Sequence, residues 1–295
     1  MLLVIGGTGK VGRHLVRQLR GEGTPVRMLV RDPARATELE ALGAELVTGD
    51  LREPQSLDRA MAGVDRVFLL SPPDERQSEL QEAAIDAARR GGVRRLVKLS
   101  VVAADERSPF PLLRWHGETD AYLRGTGLDW TILQPQSFMH NVLAFAPVVA
   151  AEGRFYAPDT GRVPVVHPRD VAAVAARALT DAGHEGRTYY VTGPEPLSWG
   201  DMAASLGAAL GRDVAWVNVP ASAAAEAMAG IGMPGWLVES LLGLYAMGAR
   251  GEQLSVSPVT REVGRIEPTT YDAFAREVAP ILHSAVSAPA VPHRT

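Results

Sequence analysis

Three groupings in this 295-residue chain have residue types and spacings that could do chemistry. The first is Gly6-Gly7-Thr8-Gly9-Lys10-Val11-Gly12. Its Gly7-x-Gly9-x-x-Gly12 spacing, with Gly6 adding a Gly-x-x-Gly-x-x-Gly reading, lets a backbone turn tightly and approach a pyrophosphate closely. The second is Arg31-Asp32-Pro33-Ala34-Arg35. A base there would answer a ribose 2′-phosphate, and an acid would answer free ribose hydroxyls. The third is His116 with Asp120. At i, i+4 on a helix they share one face, so the carboxylate could hold the imidazole and raise its pKa.

The elements around these groups follow from hydrophobic periodicity. Leu2-Leu3-Val4-Ile5 is a short apolar run without alternation, as expected of a strand buried on both faces. Val11, Leu15, Val16 and Leu19 then recur on one face of a helix, so the glycine turn opens that helix and its free N–H groups favour an anion. Further strands are expected at 25–30, 45–47, 65–70, 95–100 and 130–133, with helices at 75–91 and 113–124 between them. Strands alternating with helices argue a doubly wound parallel sheet with right-handed crossovers. Ligands bind outside the carboxyl ends of such strands. Asp50, Leu51, Leu70, Ser71, Pro72, Ser100 and Pro135 all fall there and are expected to line a cofactor. Gln136, Ser137, Phe138 and His140 come next in the chain and are expected to reach the substrate.

Beyond 135 the alternation loosens. A helix at 171–179, a strand at 187–192, a Ser198-capped helix at 202–210 and a strand at 214–219 are expected. Residues 221–250 read as two helices broken at Pro234-Gly235 that pack on a smaller lobe, with a partner or membrane surface as the alternative; they could also roof a substrate pocket. The expected organisation is α/β: a Rossmann lobe of 1–135 with part of 160–195, a small C-terminal α+β lobe of 136–160 and 195–283, and a disordered tail from 284 to 295. His167 and Asp170 read as a turn and a helix N-cap.

Composition narrows the partners. A net charge of −4 without a basic stripe argues against nucleic acid, and the Pro-Gly break argues against a membrane span. The absence of cysteine excludes disulfides, thiolate metal sites and cysteine nucleophiles and fits a cytoplasmic protein. No metal-ligand spacing occurs. A small-molecule substrate is the expected partner, and a homodimer is left open.

The motifs Gly-Gly-Thr-Gly-Lys-Val-Gly at 6–12, Val-Arg-Asp-Pro at 30–33, Gly-Asp-Leu at 49–51, Arg-Trp-His-Gly-Glu at 114–118, Thr-Ile-Leu-Gln-Pro at 131–135, Phe-Met-His-Asn at 138–141 and Thr-Gly-Pro-Glu at 192–195 resemble the NmrA-like branch of atypical short-chain dehydrogenases/reductases. The resemblance covers nearly the whole chain. It implies a Rossmann lobe binding NADP(H) or NAD(H) and a small lobe shaping a substrate cleft. Members include quinone oxidoreductases, azoreductases, enone and lignan-type reductases, and redox sensors that bind nucleotide without turnover. Arg31 beyond the second strand favours NADP(H), with Lys10 as an additional phosphate contact. Asp32 precedes Pro33 and suits an N-cap, and NAD(H) stays the alternative.

Short-chain reductases usually protonate the nascent alkoxide with Tyr-x-x-x-Lys. Here the six tyrosines are followed four residues later by Thr, Thr, Gly, Pro, Ala and Ala. Lys10 and Lys98, the only lysines, both fall within Rossmann elements, so the single catalytic lysine of the isoflavone-reductase relatives is also absent. His116 stands near that position and is the expected proton donor or ligand to the substrate oxygen. A quinone or azo acceptor lessens the demand for a dedicated acid, since its reduced form is a stabilised anion that water can protonate. The leading expectation is therefore an NADPH-dependent reductase of a quinone-like or conjugated molecule. A nucleotide-responsive sensor acting on a protein partner and a biosynthetic isomerase or cyclase are the alternatives.

Overall fold

The structure is a computed structural model that describes residues 1–252 and 255–287. In chain order its elements are β1 (Leu2–Ile5), α1 (Lys10–Gly21), β2 (Val26–Val30), α2 (Thr37–Ala41), β3 (Glu45–Thr48), α3 (Pro54–Met61), β4 (Arg66–Leu69), α4 (Gln77–Arg90), β5 (Arg95–Leu99), α5 (Pro111–Arg124) and β6 (Asp129–Pro135). They continue as α6 (Ala146–Glu152), β7 (Arg154–Ala157), α7 (Pro168–Thr180), β8 (Arg187–Val191), α8 (Trp199–Leu210), β9 (Ala215–Asn218), α9 (Ala221–Gly230), α10 (Gly235–Ala249), α11 (Val259–Glu262) and α12 (Tyr271–Ser287).

The chain divides into two compact units. The first comprises Met1–Gln136, Pro168–Thr192 and Ser257–Pro268. Its seven-stranded sheet has the order β3-β2-β1-β4-β5-β6-β8, parallel throughout. The order reverses beside β1, and this is where a doubly wound sheet opens a crevice at its carboxyl edge. β1 is buried at every residue, as its unbroken apolar run requires. Leu57, Ala60, Met61, Ala84, Ile85 and Ala88 of α3 and α4 cover one face with Leu3, Val67 and Leu96. α1 buries Val11, Leu15, Val16 and Leu19 and packs beside α7. Ser257–Pro268, expected in the small lobe, belongs to this unit, where α11 packs on α7 and β8.

The second unit comprises Ser137–His167, Gly193–Val256 and the chain from Thr269. β7 and β9 pair in parallel, and α6, α8 and α12 surround a core containing Phe155, Trp199, Met202, Leu206, Tyr271 and Phe274. The sequence reading did not find β7, α6, α11 or α12, nor the 3₁₀ segment Met139–Phe145. Short elements such as β7 and α11 carry too few periods for a pattern to emerge. α12 is long, but Pro280 interrupts its pattern. The tail expected from 284 is a correction: α12 continues through Ser287, because a helix once nucleated gains a hydrogen bond for each residue added. The remainder of that tail, 288–295, lies outside the described residues. α9 and α10 are separated at 231–234, as the Pro-Gly break predicted. No helix among the described residues is long and apolar enough to cross a membrane.

Candidate active site

The glycine loop is shaped by contacts that exclude a side chain. A Cβ on Gly12 would lie 2.2 Å from the Gly6 carbonyl oxygen and 2.6 Å from the Gly7 Cα. Gly6 has φ +81°, and a Cβ there would lie 2.4 Å from the carbonyl oxygen of Leu70. The loop therefore sits directly on the end of β4, and Leu70 touches it. Gly9 is the N-cap of α1 and offers no side-chain cap, and the first turn carries no acid. Its N–H groups and the positive end of the helix dipole are thus left for an anion, which is the donor set a pyrophosphate needs. The residues present fit a dinucleotide. Thr8, Lys10 and Val11 complete the loop, with Lys10 exposed.

Arg13, which the sequence reading did not single out, fixes this loop relative to the one after β2. Its Nε donates to the Thr8 carbonyl at 3.0 Å, one terminal nitrogen donates to the Arg35 carbonyl at 3.0 Å, and the other pairs with Glu38. Asp32 is the N-cap of the 3₁₀ turn Pro33–Arg35, its carboxylate accepting from Ala34 N–H at 3.0 Å. Arg31 stands exposed immediately beyond β2. Asp50 accepts from Arg52 N–H at 2.9 Å in a local turn and is not the cap of α3, whose N-cap is Glu53. Leu51 is half-buried against the α3–α4 side of the sheet.

Two buried hydrogen-bond chains meet the carboxyl edge. Thr119 Oγ1 donates to Gln81 Oε1 at 3.1 Å, and Gln81 Nε2 donates to Ser71 Oγ at 2.8 Å. Pro72, next along, is exposed. In the second chain Lys98 Nζ donates to Asp120 Oδ1 and Ser100 Oγ donates to Asp120 Oδ2, both at 2.7 Å. This overturns the expected His116–Asp120 pair. Helical spacing does put the two residues on one face, but β5 delivers Lys98 and Ser100 to both carboxylate oxygens first. Lys98, fully buried, also lies 3.4 Å from His116 Nδ1. An ammonium can only donate, so Nδ1 is an acceptor and the imidazole proton resides on Nε2. Burial, reinforced by the Lys98 charge, pushes the His116 pKa well below its ordinary value, opposite to the expected direction. His116 is a neutral hydrogen-bond donor here and does not carry an ionised proton.

Pro135 is buried at the end of β6, paired with Val191. Gln136, expected to face substrate, is 2 % exposed and donates through Nε2 to Tyr190 Oη at 2.9 Å, so it closes the sheet of the first unit. In the second unit Ser137 and Phe138 line an apolar recess with Met139, Val142, Val163, Val165, Trp199, Met202, Leu244 and Tyr245. The recess together with the open solvent before its mouth spans about 470 Å³. α10 supplies Leu244 and Tyr245, so part of the 221–250 segment does wall a pocket. His140 is not among the lining residues. Its ring lies 4.9 Å from those of both His167 and Phe274, because the 3₁₀ turn directs it toward α12. Asp170 lies inside the first turn of α7 and not at its N-cap position. Folding also gathers ligand atoms of His140, His167 and Glu277 within 4.8 Å of one another, a grouping that no local spacing could reveal. In it His167 Nε2 stands 3.5 Å from Glu277 Oε2.

Two outcomes follow from this geometry. Gly12→Ala forces apart atoms that would stand 2.2 Å from its Cβ, so it should lower the melting temperature and abolish dinucleotide binding measured by calorimetry. His116 is held neutral when folded and titrates near its ordinary value when unfolded, so the unfolded chain binds more protons below about pH 6.5. Stability should accordingly fall as pH drops from about 6.5, with a slope approaching about 1.4 kcal/mol per pH unit from this group. Urea unfolding across that range should show this contribution in the wild type and not in His116→Gln; equal slopes would refute the neutral assignment.

A family profile described as NAD(P)H-binding matches residues 6–182. The chain is 40% identical over 277 residues to the NAD(P)H azoreductase of Xenophilus azovorans, covering 94% of this chain and 97% of that one. It is 40% identical to the (4-alkanoyl-5-oxo-2,5-dihydrofuran-3-yl)methyl phosphate reductase of Streptomyces griseus, covering 89% and 92%. The crystal structure of the NADPH-dependent quinone oxidoreductase QOR2 from Escherichia coli in complex with NADPH superposes with a TM-score of 0.83 at 28% identity, covering 94% of this chain and 99% of that one. This chain belongs to the NAD(P)H-binding family.

Proposed function

We propose that this protein is an NADPH-dependent reductase of a quinone-like or azo-type conjugated small molecule. The observation that carries this reading is the uncapped N-terminus of α1 above a glycine loop that tolerates no side chain. The names of its relatives, an azoreductase and a quinone oxidoreductase, support the acceptor class. So does the absence of a tyrosine–lysine pair, because conjugated acceptors become stabilised anions on reduction.

When bound, the reduced dinucleotide supplies a hydride. The loop 6–12 holds the pyrophosphate, and Arg31 pairs with the ribose 2′-phosphate while Asp32 is occupied as a cap. Asp50 directs its free carboxylate capacity to the adenine edge. Leu70, Ser71 and Ser100 line the dinucleotide along the carboxyl edge, with Ser71 and Ser100 oriented by Gln81 and Asp120. His116, neutral and protonated on Nε2, donates a hydrogen bond to the acceptor oxygen or nitrogen. Water supplies the proton that completes a hydroquinone or hydrazo product, so hydride plus proton balances the two-electron reduction.

Calorimetric titration of NADPH and NADH tests the cofactor assignment. Arg31→Ala should weaken NADPH about tenfold or more, as expected for a charge-assisted contact of roughly 1.5–3 kcal/mol, and leave NADH unchanged. Equal losses for both nucleotides would remove Arg31 from the phosphate site. NADPH oxidation with a quinone and azo-dye panel tests turnover, and binding without oxidation of any acceptor would overturn the reductase reading.

A further inference from the structure

Three side chains that the sequence keeps far apart converge within the second unit. His140 comes from the 3₁₀ turn Met139–Phe145, His167 from the end of the stretch Ser137–His167, and Glu277 from α12. One ligand atom of each lies within 4.8 Å of the other two. His167 is fully buried, His140 is half-buried and Glu277 is exposed. Two imidazoles and a carboxylate offer lone pairs to a cation, and the carboxylate repels an anion.

The spacing suits ligands that share one ion. His167 Nε2 and Glu277 Oε2 stand 3.5 Å apart. A direct N–H···O hydrogen bond would draw them to about 2.7–3.2 Å. Two ligands of one tetrahedral zinc, each about 2.0–2.2 Å from the metal, stand about 3.3–3.6 Å from each other. No pair in the set exceeds 4.8 Å, so a closure of at most about 1.3 Å brings all three to the spacing already present between His167 and Glu277.

Packing holds the imidazoles in place for this. The two rings meet edge-on, with centroids 4.9 Å apart and planes at 71°. Phe274, fully buried, lies 4.9 Å from the His140 ring and 5.9 Å from the His167 ring. It precedes Glu277 by three residues on α12, so one helix face presents both the wall that fixes the rings and the carboxylate that joins them. Ligands oriented by a packed apolar neighbour are the arrangement a metal centre needs.

We propose that His140, His167 and Glu277 bind a divalent transition-metal ion of the zinc class, with water in the fourth position. The chain has no cysteine, and imidazole with carboxylate suits an ion of intermediate softness. The Glu277 side chain is 45% exposed and gives the ion access from solvent. Once bound, the ion ties α12 to the 3₁₀ turn. Met139 of that turn lines the apolar recess, so the same clasp steadies one of its walls. The assignment concerns the second unit alone and does not rest on the reductase reading.

The full chain, without an affinity tag and dialysed against a chelator, is titrated with zinc chloride by calorimetry and with cobalt chloride by visible absorption. The variants are Glu277→Gln and His140→Gln. Wild type should take up one equivalent of zinc, and cobalt should develop the intense visible bands of a tetrahedral site. Each variant should bind zinc at least about 100-fold more weakly, since even an outer-shell partner of a ligand costs roughly 10–100-fold. Saturating zinc should raise the melting temperature of wild type and leave that of Glu277→Gln unchanged, because an ion bound only by the folded state stabilises it. Glu277 is exposed, so Glu277→Gln without metal should melt with metal-free wild type; that variant decides the matter if His140→Gln does not fold. No saturable zinc binding to wild type would overturn the proposal. Unaltered affinity in Glu277→Gln would overturn it too, by placing the ion elsewhere on the protein.

Discussion

The first unit depends on one close approach of backbone to backbone. Gly6 and Gly12 let α1 begin directly against β1 and the end of β4, at distances where any Cβ would overlap a carbonyl oxygen. From this contact follow the packing of Val11, Leu15 and Val16 into the core, the position of the helix N-terminus at the switch point of the sheet, and the bare N–H groups there. Gly9 at the N-cap adds the second half of the arrangement. A serine or aspartate there would cap the helix and occupy the donors that an anion otherwise takes. Binding capacity at this site is thus left over from a helix end that the chain declines to satisfy itself.

The neighbouring buried polar groups follow a different logic. Lys98 and Asp120 are fully removed from water, and such a pair contributes little net stability, because desolvation consumes most of the Coulomb attraction. What the pair does is set orientations. It commits the Ser100 hydroxyl proton to Asp120, makes His116 Nδ1 an acceptor, and through the Lys98 charge reinforces the burial that keeps that imidazole neutral. Gln81 and Thr119 do the same for Ser71. Side chains at the carboxyl edge therefore present defined lone pairs or protons to a ligand, with reorientation already opposed by the core.

The second unit is organised around aromatic packing. Phe155, Trp199, Tyr271 and Phe274 fill its core, and part of the same cluster becomes the wall of the recess. Only Ser137 and Phe138 of the residues expected to meet substrate stand there. Gln136 is claimed by Tyr190, and His140 by the α12 side of the unit. Succession in the chain places residues near one another, but the turn after β6 decides which way each faces.

How far the sequence reaches depends on the range of the interactions involved. β1 through β6, α1, the α9–α10 break and the capping role of Asp32 were all legible, because apolar runs, helical periodicity, prolines and a bare glycine loop act within a few residues. The family and its dinucleotide were legible for the same reason. Only the tertiary structure decided the partners of Asp120, the protonation of His116, the Arg13 staple and the walls of the recess. Those rest on residues from separate strands and helices competing for the same few hydrogen-bonding atoms. Helical spacing brought His116 and Asp120 together on one face, but a buried carboxylate has two oxygens, and which groups reach them is set by sheet register and helix packing. That competition is settled in three dimensions, where burial penalises every polar atom left over.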